Sequence, residues 1–238
     1  MNKVEGGINY RKIFETQFHD LPRDVRASAA GTAEGSALSA LCFDPDPMVI
    51  KAILENMQTS LDQARLIANH HRHSTGLAAL AERAQFARDT QVRHYLLRNP
   101  QTSEPVLIKI LNPLPLQQLY PLNISRENSE RAKRVLRQVL RQKFQRSSAE
   151  ERVGLIFSTE GRCLNLLIGL TFDSKMTALM CRRSYHASLI IQNLARFPAT
   201  PPAVIGHLLK QQVVRRSPPL RKILLRHSNC PTELKRKV

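Results

Sequence analysis

Three histidines lie almost side by side in the sequence, at His70, His71 and His73. Imidazole nitrogens bind zinc, so this segment is the first candidate for metal chemistry. A metal site also needs further ligands that converge on the ion, and no cysteine or carboxylate follows at the spacings of known zinc sites. We therefore interpret the segment as a polar turn and predict no metal, with a His70, His71 and His73 site as the less favoured alternative.

Cys181 is the best candidate for a nucleophile, because it precedes Arg182 and Arg183 and nearby cations lower the pKa of a thiol. A buried structural thiol is nevertheless the preferred interpretation, since free cysteines are usually buried. The four cysteines are widely spaced, as expected for thiols of a reducing compartment: Cys42, Cys163, Cys181 and Cys230. Phosphate-binding loops, HExxH and GxSxG are also absent, so we predict no catalytic residue and no cofactor.

Positive charge is the strongest functional signal, with a net charge of +17 and a pI near 10.5. A surface of this kind attracts nucleic acid, anionic membrane or acidic protein. The periodicity predicts one long helix over residues 128 to 145 with an apolar face and a cationic face, and no acidic residue occurs from Arg131 to Ser148. Polyanion binding and simple solvation both fit that cationic face. Its members are Arg131, Lys133, Arg134, Arg137, Arg141, Lys143 and Arg146.

A second cationic set lies near the C-terminus, where Glu233 is the only acidic residue of the last segment. We predict that this set also contacts a polyanion or an acidic partner, while the final residues, ELKRKV, could equally be a solvated end. The predicted binding residues of the second set are Arg215, Arg216, Arg221 and Lys222.

These charges need a scaffold, and the chain supplies one by repeating a short pattern. Val92, Tyr95 and Leu96 share one face of a helix, and Asn99-Pro100 predicts where that helix ends. Thr102 is then predicted to be the N-cap of a second helix. The same order of apolar, helix-ending and cap positions recurs at residues 49–67, 190–208 and 220–234, with a weaker copy at 164–179. The predicted cap column reads Thr59, Thr102, Thr200 and Cys230.

One such helix pair cannot bury its apolar face alone, so we expect neighbouring pairs to cover each other. The composition agrees with a helical core, because Trp is absent, aromatic residues make up 5% and only 9 glycines are present. A generic helical bundle with recurring Thr-Pro turns is the alternative.

The segments VRHYLLRNPQTSEPVL, LARFPATPPAVI and LLRHSNCPTEL carry the pattern. It resembles the leucine-rich-repeat-variant and HEAT-like α-solenoid families over roughly residues 35–238. The resemblance implies an all-α, right-handed α-solenoid superhelix of short helical repeats, and a binding role rather than a reaction. Some family members carry a cysteine-rich iron–sulfur segment before the repeats; this chain lacks one, so that cofactor is not expected.

The predicted organisation has three parts: a partly ordered N-terminal cap at 1–34, a first solenoid half at 35–146 and a second, continuous half at 147–238. The two halves are interpreted as a duplication. No stretch approaches the roughly 20 apolar residues of a membrane span, and the N-terminus lacks the apolar run of a signal peptide. We therefore expect a cytoplasmic protein.

Two functions fit these features. The first is a non-enzymatic helical-repeat interaction module that binds an acidic protein or peptide through its basic surface. The second is a nucleic-acid-binding solenoid that contacts phosphates through Arg and Lys. A HEAT-like DNA glycosylase is a remote version, because flipped bases are held by stacking and the chain has no Trp. Peripheral contact with anionic lipid is the weakest alternative.

Overall fold

A computed structural model describes residues 8 to 235 of the chain, and this part is all-α. It contains eighteen α-helices and one 3₁₀ helix, Arg162–Leu166, and no β-strand occurs within the described range. The α-helices are α1 (Tyr10–Gln17), α2 (Arg23–Thr32), α3 (Gly35–Leu41), α4 (Pro47–Glu55), α5 (Leu61–His70), α6 (Ser74–Glu82), α7 (Ala84–Ala87), α8 (Thr90–Arg98), α9 (Glu104–Leu111), α10 (Leu116–Ile124), α11 (Glu130–Arg146), α12 (Ala149–Ser158), α13 (Ser174–Cys181), α14 (Ser188–Arg196), α15 (Pro202–Lys210), α16 (Gln212–Arg215), α17 (Pro218–Leu225) and α18 (Thr232–Lys235).

The chain divides into two compact units. The first takes the described residues up to Leu114 together with Ile124–Leu136, and the second takes Pro115–Asn123 together with the described chain from Arg137 onward. The predicted parts 1–34, 35–146 and 147–238 follow the sequence repeat rather than these contacts, and they stay predictions.

The described part of the N-terminal region is helical, with α1 packed on α3 and α2 packed on α4. Arg26 of α2 fixes this packing, because its guanidinium binds the buried carboxylate of Asp44 with an Nε–Oδ2 distance of 2.6 Å. The same carboxylate accepts a hydrogen bond from the backbone N–H of Asp46. Asp44 therefore joins α2 to the turn that begins α4.

Side chains cap several helix starts where the sequence predicts them. The Ser148 hydroxyl accepts from the backbone N–H of Glu151, whose carboxylate accepts in return from the N–H of Ser148. This is the predicted capping box of α12. Asp46 and Asp173 cap α4 and α13 by accepting from N–H groups at 2.8 and 2.7 Å. The sequence itself predicts these caps, because Ser148 and Glu151 have capping-box spacing and Asp46 and Asp173 are of a type that favours the N-cap; all three are confirmed.

The prediction that Thr59, Thr102 and Thr200 are N-caps is wrong. The hydroxyls of Thr59 and Thr200 donate backwards, to the carbonyl oxygens of Ile53 and Leu194 six residues earlier. They therefore close the end of one helix rather than start the next. The N-cap of α9 is Ser103, one residue after the predicted Thr102, and that of α15 is Pro201.

The asparagine at the end of α8 links two helix pairs. Asn99 is buried, and its amide nitrogen donates to the carbonyl oxygens of Ala68 and His71 at 3.0 and 2.9 Å. Both oxygens lie at the C-terminal end of α5, where a helix leaves carbonyl groups without intrahelical partners. Its side-chain oxygen accepts from the backbone N–H of Gln101, which closes the turn.

The same arrangement occurs at the end of α4. The amide nitrogen of Asn56 donates to the carbonyl oxygens of Ala30 and Ala33 at the end of α2, both at 2.9 Å. Its side-chain oxygen accepts from the N–H two residues later, as at Asn99. In the first unit, an asparagine at the same position of two turns thus caps the C-terminus of an earlier helix, α2 in one case and α5 in the other.

Helix α11 spans 17 residues and is the longest in the described chain, as predicted. The side chains of its predicted apolar face are buried: Ala132, Val135, Leu136, Val139, Leu140 and Phe144. None of the helices in residues 8–235 is both long and apolar enough to cross a membrane.

The weaker repeat copy departs from the predicted helix pair. Its first member is the 3₁₀ helix Arg162–Leu166, which follows Gly161 in the left-handed region at φ 77°. A Cβ on Gly161 would lie 2.8 Å from the Cβ of Asn193, so only glycine permits this approach. The amide nitrogen of Asn193 donates to the carbonyl oxygen of Glu160 at 2.8 Å, which joins α14 to the turn.

Replacing Asn99 with alanine should lower the free energy of unfolding by about 2–4 kcal/mol, because two buried carbonyl groups lose their donor. Chemical denaturation of the two proteins measures the difference. The control is Asn165→Ala, an exposed asparagine whose side chain makes no hydrogen bond in the described part of the chain, which should change stability by at most about 0.5 kcal/mol. Equal effects of the two substitutions would contradict the capping role.

Candidate basic groove

The second unit carries an open groove near its C-terminal end, with a volume of about 750 Å³. Two kinds of side chain line it, cations at the sides and apolar groups between them. We call it the basic groove, and its lining residues are Arg215, Arg221, Lys222, Arg226, Lys235, Pro218 and Leu225.

Helix α17 supplies most of the basic groove because of its residue spacing. Pro218, Arg221, Lys222 and Leu225 lie at positions i, i+3, i+4 and i+7, so they share one face of the helix. The other face carries Leu220 and Leu224, which are buried in the core of the unit. Burial of this apolar face fixes the rotation of α17 and turns the cations outward.

Helix α18 brings Lys235 to the groove, and a buried histidine holds the turn before it. The ring of His227 donates from Nε2 to the carbonyl oxygen of Phe197 at 3.0 Å and accepts at Nδ1 from the N–H of Asn229. The amide nitrogen of Asn229 donates to the carbonyl oxygens of Pro198 and Thr200. His227 thus resembles Asn56 and Asn99: it donates to one earlier carbonyl oxygen where each asparagine donates to two, and like them it accepts from the N–H two residues later.

The cations of the basic groove have no carboxylate partner within residues 8–235. Eleven lysines and arginines lie between Ser174 and Lys235, against the single acidic residue Glu233. Among these cations only Lys175 forms an ion pair, with Glu150 at 3.0 Å. The positive charge of this region is therefore exposed to solvent and uncompensated.

Many cations of the first unit, in contrast, are neutralised locally. Arg65 binds Asp89 at 3.1 Å, and this guanidinium lowers the pKa of the Asp89 carboxyl. Arg98 binds Glu127 at 3.3 Å. Carboxylates beside these arginines weaken the field that an anionic partner would meet.

Two arginines of the predicted α11 face bind backbone groups. Arg131 donates from Nη1 to the carbonyl oxygens of Pro100 and Thr102 at 3.2 and 3.3 Å. Arg141 likewise donates from Nη1 to the carbonyl oxygens of Leu166 and Ile168 at 3.3 and 2.7 Å. Sequence reasoning missed these structural bonds, because all four acceptors lie 25 or more residues away.

The other α11 cations divide into two groups. Lys133 binds Glu130 at 2.7 Å, and Lys143 is half-buried. Arg134, Arg137 and Arg146 are exposed and form no ion pair in the described chain. Of the predicted α11 set, these three present a free guanidinium to solvent.

The three candidate histidines point to different partners. His71 is buried, and its Nδ1–H donates to the carbonyl oxygen of Asp44 at 3.2 Å. His70 packs its ring against Phe43 at 4.8 Å, and His73 caps α6. Within residues 8–235, no three His, Cys, Asp or Glu side chains are close enough to hold a metal ion.

Cys181 lacks the properties of an activated nucleophile. It is partly buried at the end of α13, and burial raises the pKa of its thiol. The neighbouring Arg183 guanidinium lies over the ring of Phe157 at 4.7 Å. Cys163 is buried with a pKa raised to about 11, again by desolvation.

Of the predicted C-terminal cations, Arg215, Arg221 and Lys222 line the basic groove. The fourth, Arg216, is exposed but does not line it. Sequence reasoning did not assign Arg226 and Leu225 to the site. Helical spacing could have assigned them, because Leu225 and Arg226 lie seven and eight residues after Pro218 and continue the same face of α17.

His71 should make stability depend on pH. Burial lowers the pKa of the folded His71 below its usual 6.5, so the unfolded chain takes up the proton first as pH falls. The free energy of unfolding should then decrease between pH 7.5 and 5.5, by up to about 1.4 kcal/mol per pH unit for this one group. His71→Asn keeps a donor for the Asp44 carbonyl and removes the titration, so denaturation across that range should give a smaller slope. An unchanged slope would contradict the assignment.

Comparison with known proteins leaves the family open. No family model, curated protein or solved structure matches the chain. Function is therefore inferred from the contacts and charges of the chain itself.

Proposed function

We propose that the chain is a non-enzymatic helical-repeat interaction module that binds an acidic protein or peptide through the basic groove. The observation that carries this proposal is the group of five exposed cations around one groove, which have no carboxylate partner among residues 8–235. Like charges held together by a rigid helix repel one another, and an anionic partner relieves that repulsion.

The repeat interpretation, including the resemblance to variant leucine-rich and HEAT-like α-solenoids, remains part of the proposal. The recurring turn bonds of Asn56, Asn99 and His227 support it, since each side chain reaches back to an earlier helix pair. A second similarity links the two units. Asn229, in the turn before α18, binds carbonyl groups 31 and 29 residues earlier, and Arg131 of the first unit binds carbonyl groups at the same two separations. We also propose a reducing, cytoplasmic setting, which the four unpaired cysteines support.

An acidic polypeptide fits the basic groove better than nucleic acid does. No aromatic ring lines the groove, although aromatic side chains are what usually stack on single-stranded bases. The space between the cations is occupied by Pro218 and Leu225, and apolar groups offer nothing to a phosphate backbone. They do match the apolar side chains of a polypeptide.

Nucleic-acid binding remains the second candidate, and one observation favours it. Arg134 and Arg137 lie on successive turns of α11, exposed and without ion pairs in the described chain. Guanidinium groups spaced along a helix contact successive phosphates in many nucleic-acid complexes.

Two matched triple variants separate these candidates. Arg221→Gln, Lys222→Gln and Arg226→Gln remove three charges from the basic groove, whereas Arg134→Gln, Arg137→Gln and Arg146→Gln remove three from α11. The ligands are a labelled poly-glutamate peptide and a single-stranded oligonucleotide of equal charge, titrated by fluorescence anisotropy at low and high salt. We expect the groove variant to weaken poly-glutamate binding about tenfold or more and the α11 variant to weaken it at most about threefold, since screening limits distant charges.

Equal losses from the two variants would mean that net charge alone drives binding, and they would contradict the groove as the site. Tighter binding of the oligonucleotide, lost in the α11 variant, would favour the second candidate. Circular dichroism of both variants checks that the helices remain folded.

A further inference from the structure

We infer that the basic groove accepts an acidic amphipathic helix, with one apolar side chain seated against Leu225 and Pro218 and carboxylates directed at the surrounding cations. This inference rests on the proposed function and specifies the partner: charge brings the segment to the surface, and the apolar contact selects among acidic segments. Helix-in-groove recognition uses this combination of apolar anchors and flanking charges.

The apolar centre of the groove is the first support. Leu225 is only partly buried although its helix neighbour Leu224 is fully buried, so part of the Leu225 side chain faces the groove. Pro218 lies two turns earlier on the same face and is exposed. Arg221 and Lys222 come between these two residues along α17, and the aliphatic part of such long side chains adds apolar surface. A volume of about 750 Å³ accommodates a large aliphatic side chain with its neighbours.

The spacing of the charges is the second support. Lys222 lies four residues, about one helical turn, before Arg226 at the end of α17, so these two cations are separated by about 5–6 Å. Carboxylates at positions i and i+4 of a partner helix have the same separation. Arg215 and Lys235 come from the adjacent helices α16 and α18, which places cations beyond α17 itself.

An anionic membrane is less suitable as the occupant. Stable membrane attachment needs bulky apolar groups that insert beside the cations. The exposed large hydrophobic residues of residues 8–235 all lie outside the segment from Ser174 to Lys235. The apolar part of the basic groove is recessed between charges, which suits a side chain presented by another polypeptide.

The test compares two peptides of about 14 residues with identical glutamates, one with leucines on its apolar face and one with alanines there, so that charge and helix propensity are matched. Fluorescence anisotropy against the full chain should show the leucine peptide binding about tenfold more tightly. In Leu225→Ser the ratio should fall to about twofold, whereas in Leu225→Met, which keeps the apolar volume, it should be retained. Arg196→Gln removes an exposed cation outside the groove and should leave the ratio unchanged.

Equal affinity of the two peptides for the native chain, with binding that weakens in salt, would overturn this inference and leave the proposed function standing. Failure of both peptides to bind at low salt would overturn the proposed function itself. Vesicles of anionic phospholipid that bind more tightly than the leucine peptide, with loss in Leu225→Ser, would assign the groove to a membrane and overturn the inference.

Discussion

The C-terminal carbonyl groups of the helices are the constraint on which this structure depends. Apart from α11, the helices span ten residues or fewer, and helices of that length are marginal alone because few hydrogen bonds offset the cost of nucleation. Each also leaves carbonyl groups at its end that need donors. Asn56 and Asn99 provide such donors from a later turn, so each capped helix is completed by the next pair in the chain.

The same constraint explains how the basic groove is built. The turn before α18 is held by His227 and Asn229, whose donors reach the carbonyl groups between α14 and α15. That attachment determines where Lys235 lies relative to α17. Packing of Leu220 and Leu224 then decides which residues of α17 face solvent. The position of the charged side chains thus follows from the hydrogen bonds at the helix ends and from the burial of the apolar faces.

Cations in this chain serve two different purposes. Arg26, Arg131 and Arg141 bind a buried carboxylate or backbone carbonyl groups, so their guanidinium groups join one part of the fold to another. Those of the basic groove have no such partner in the described residues and are exposed to solvent. A net charge of +17 does not distinguish these purposes, whereas the hydrogen-bond partners do.

Local rules predicted the local features of the fold. The long helix, the caps at Asp46 and Ser148, and the end of α8 before Pro100 all depend on residues within about four positions. Thr102 is not the N-cap because α9 begins one residue later, after Ser103. Thr59 is not one either, because its hydroxyl instead closes the preceding helix. The bonds of Asn99 and Arg131 reach 31 residues back, and nothing in a single sequence marks their acceptors.

The part of the basic groove that lies on α17 was predictable from the sequence. Arg221 and Lys222 belong to a basic cluster that is visible in the sequence, and Leu225 continues their face by simple spacing. Lys235 joins them only through the fold of the turn at His227, because α18 is a separate element. Charge composition therefore suggested the type of partner that we propose, and tertiary packing determines which cations surround the basic groove.

The most direct test of the central claim is a map of backbone amide shifts when the leucine-containing acidic peptide is titrated into the isotope-labelled chain. We expect the largest changes between residues 215 and 235, centred on α17, and little change in the amides of α11. Largest changes on α11, or small changes spread evenly over the helices, would contradict this expectation.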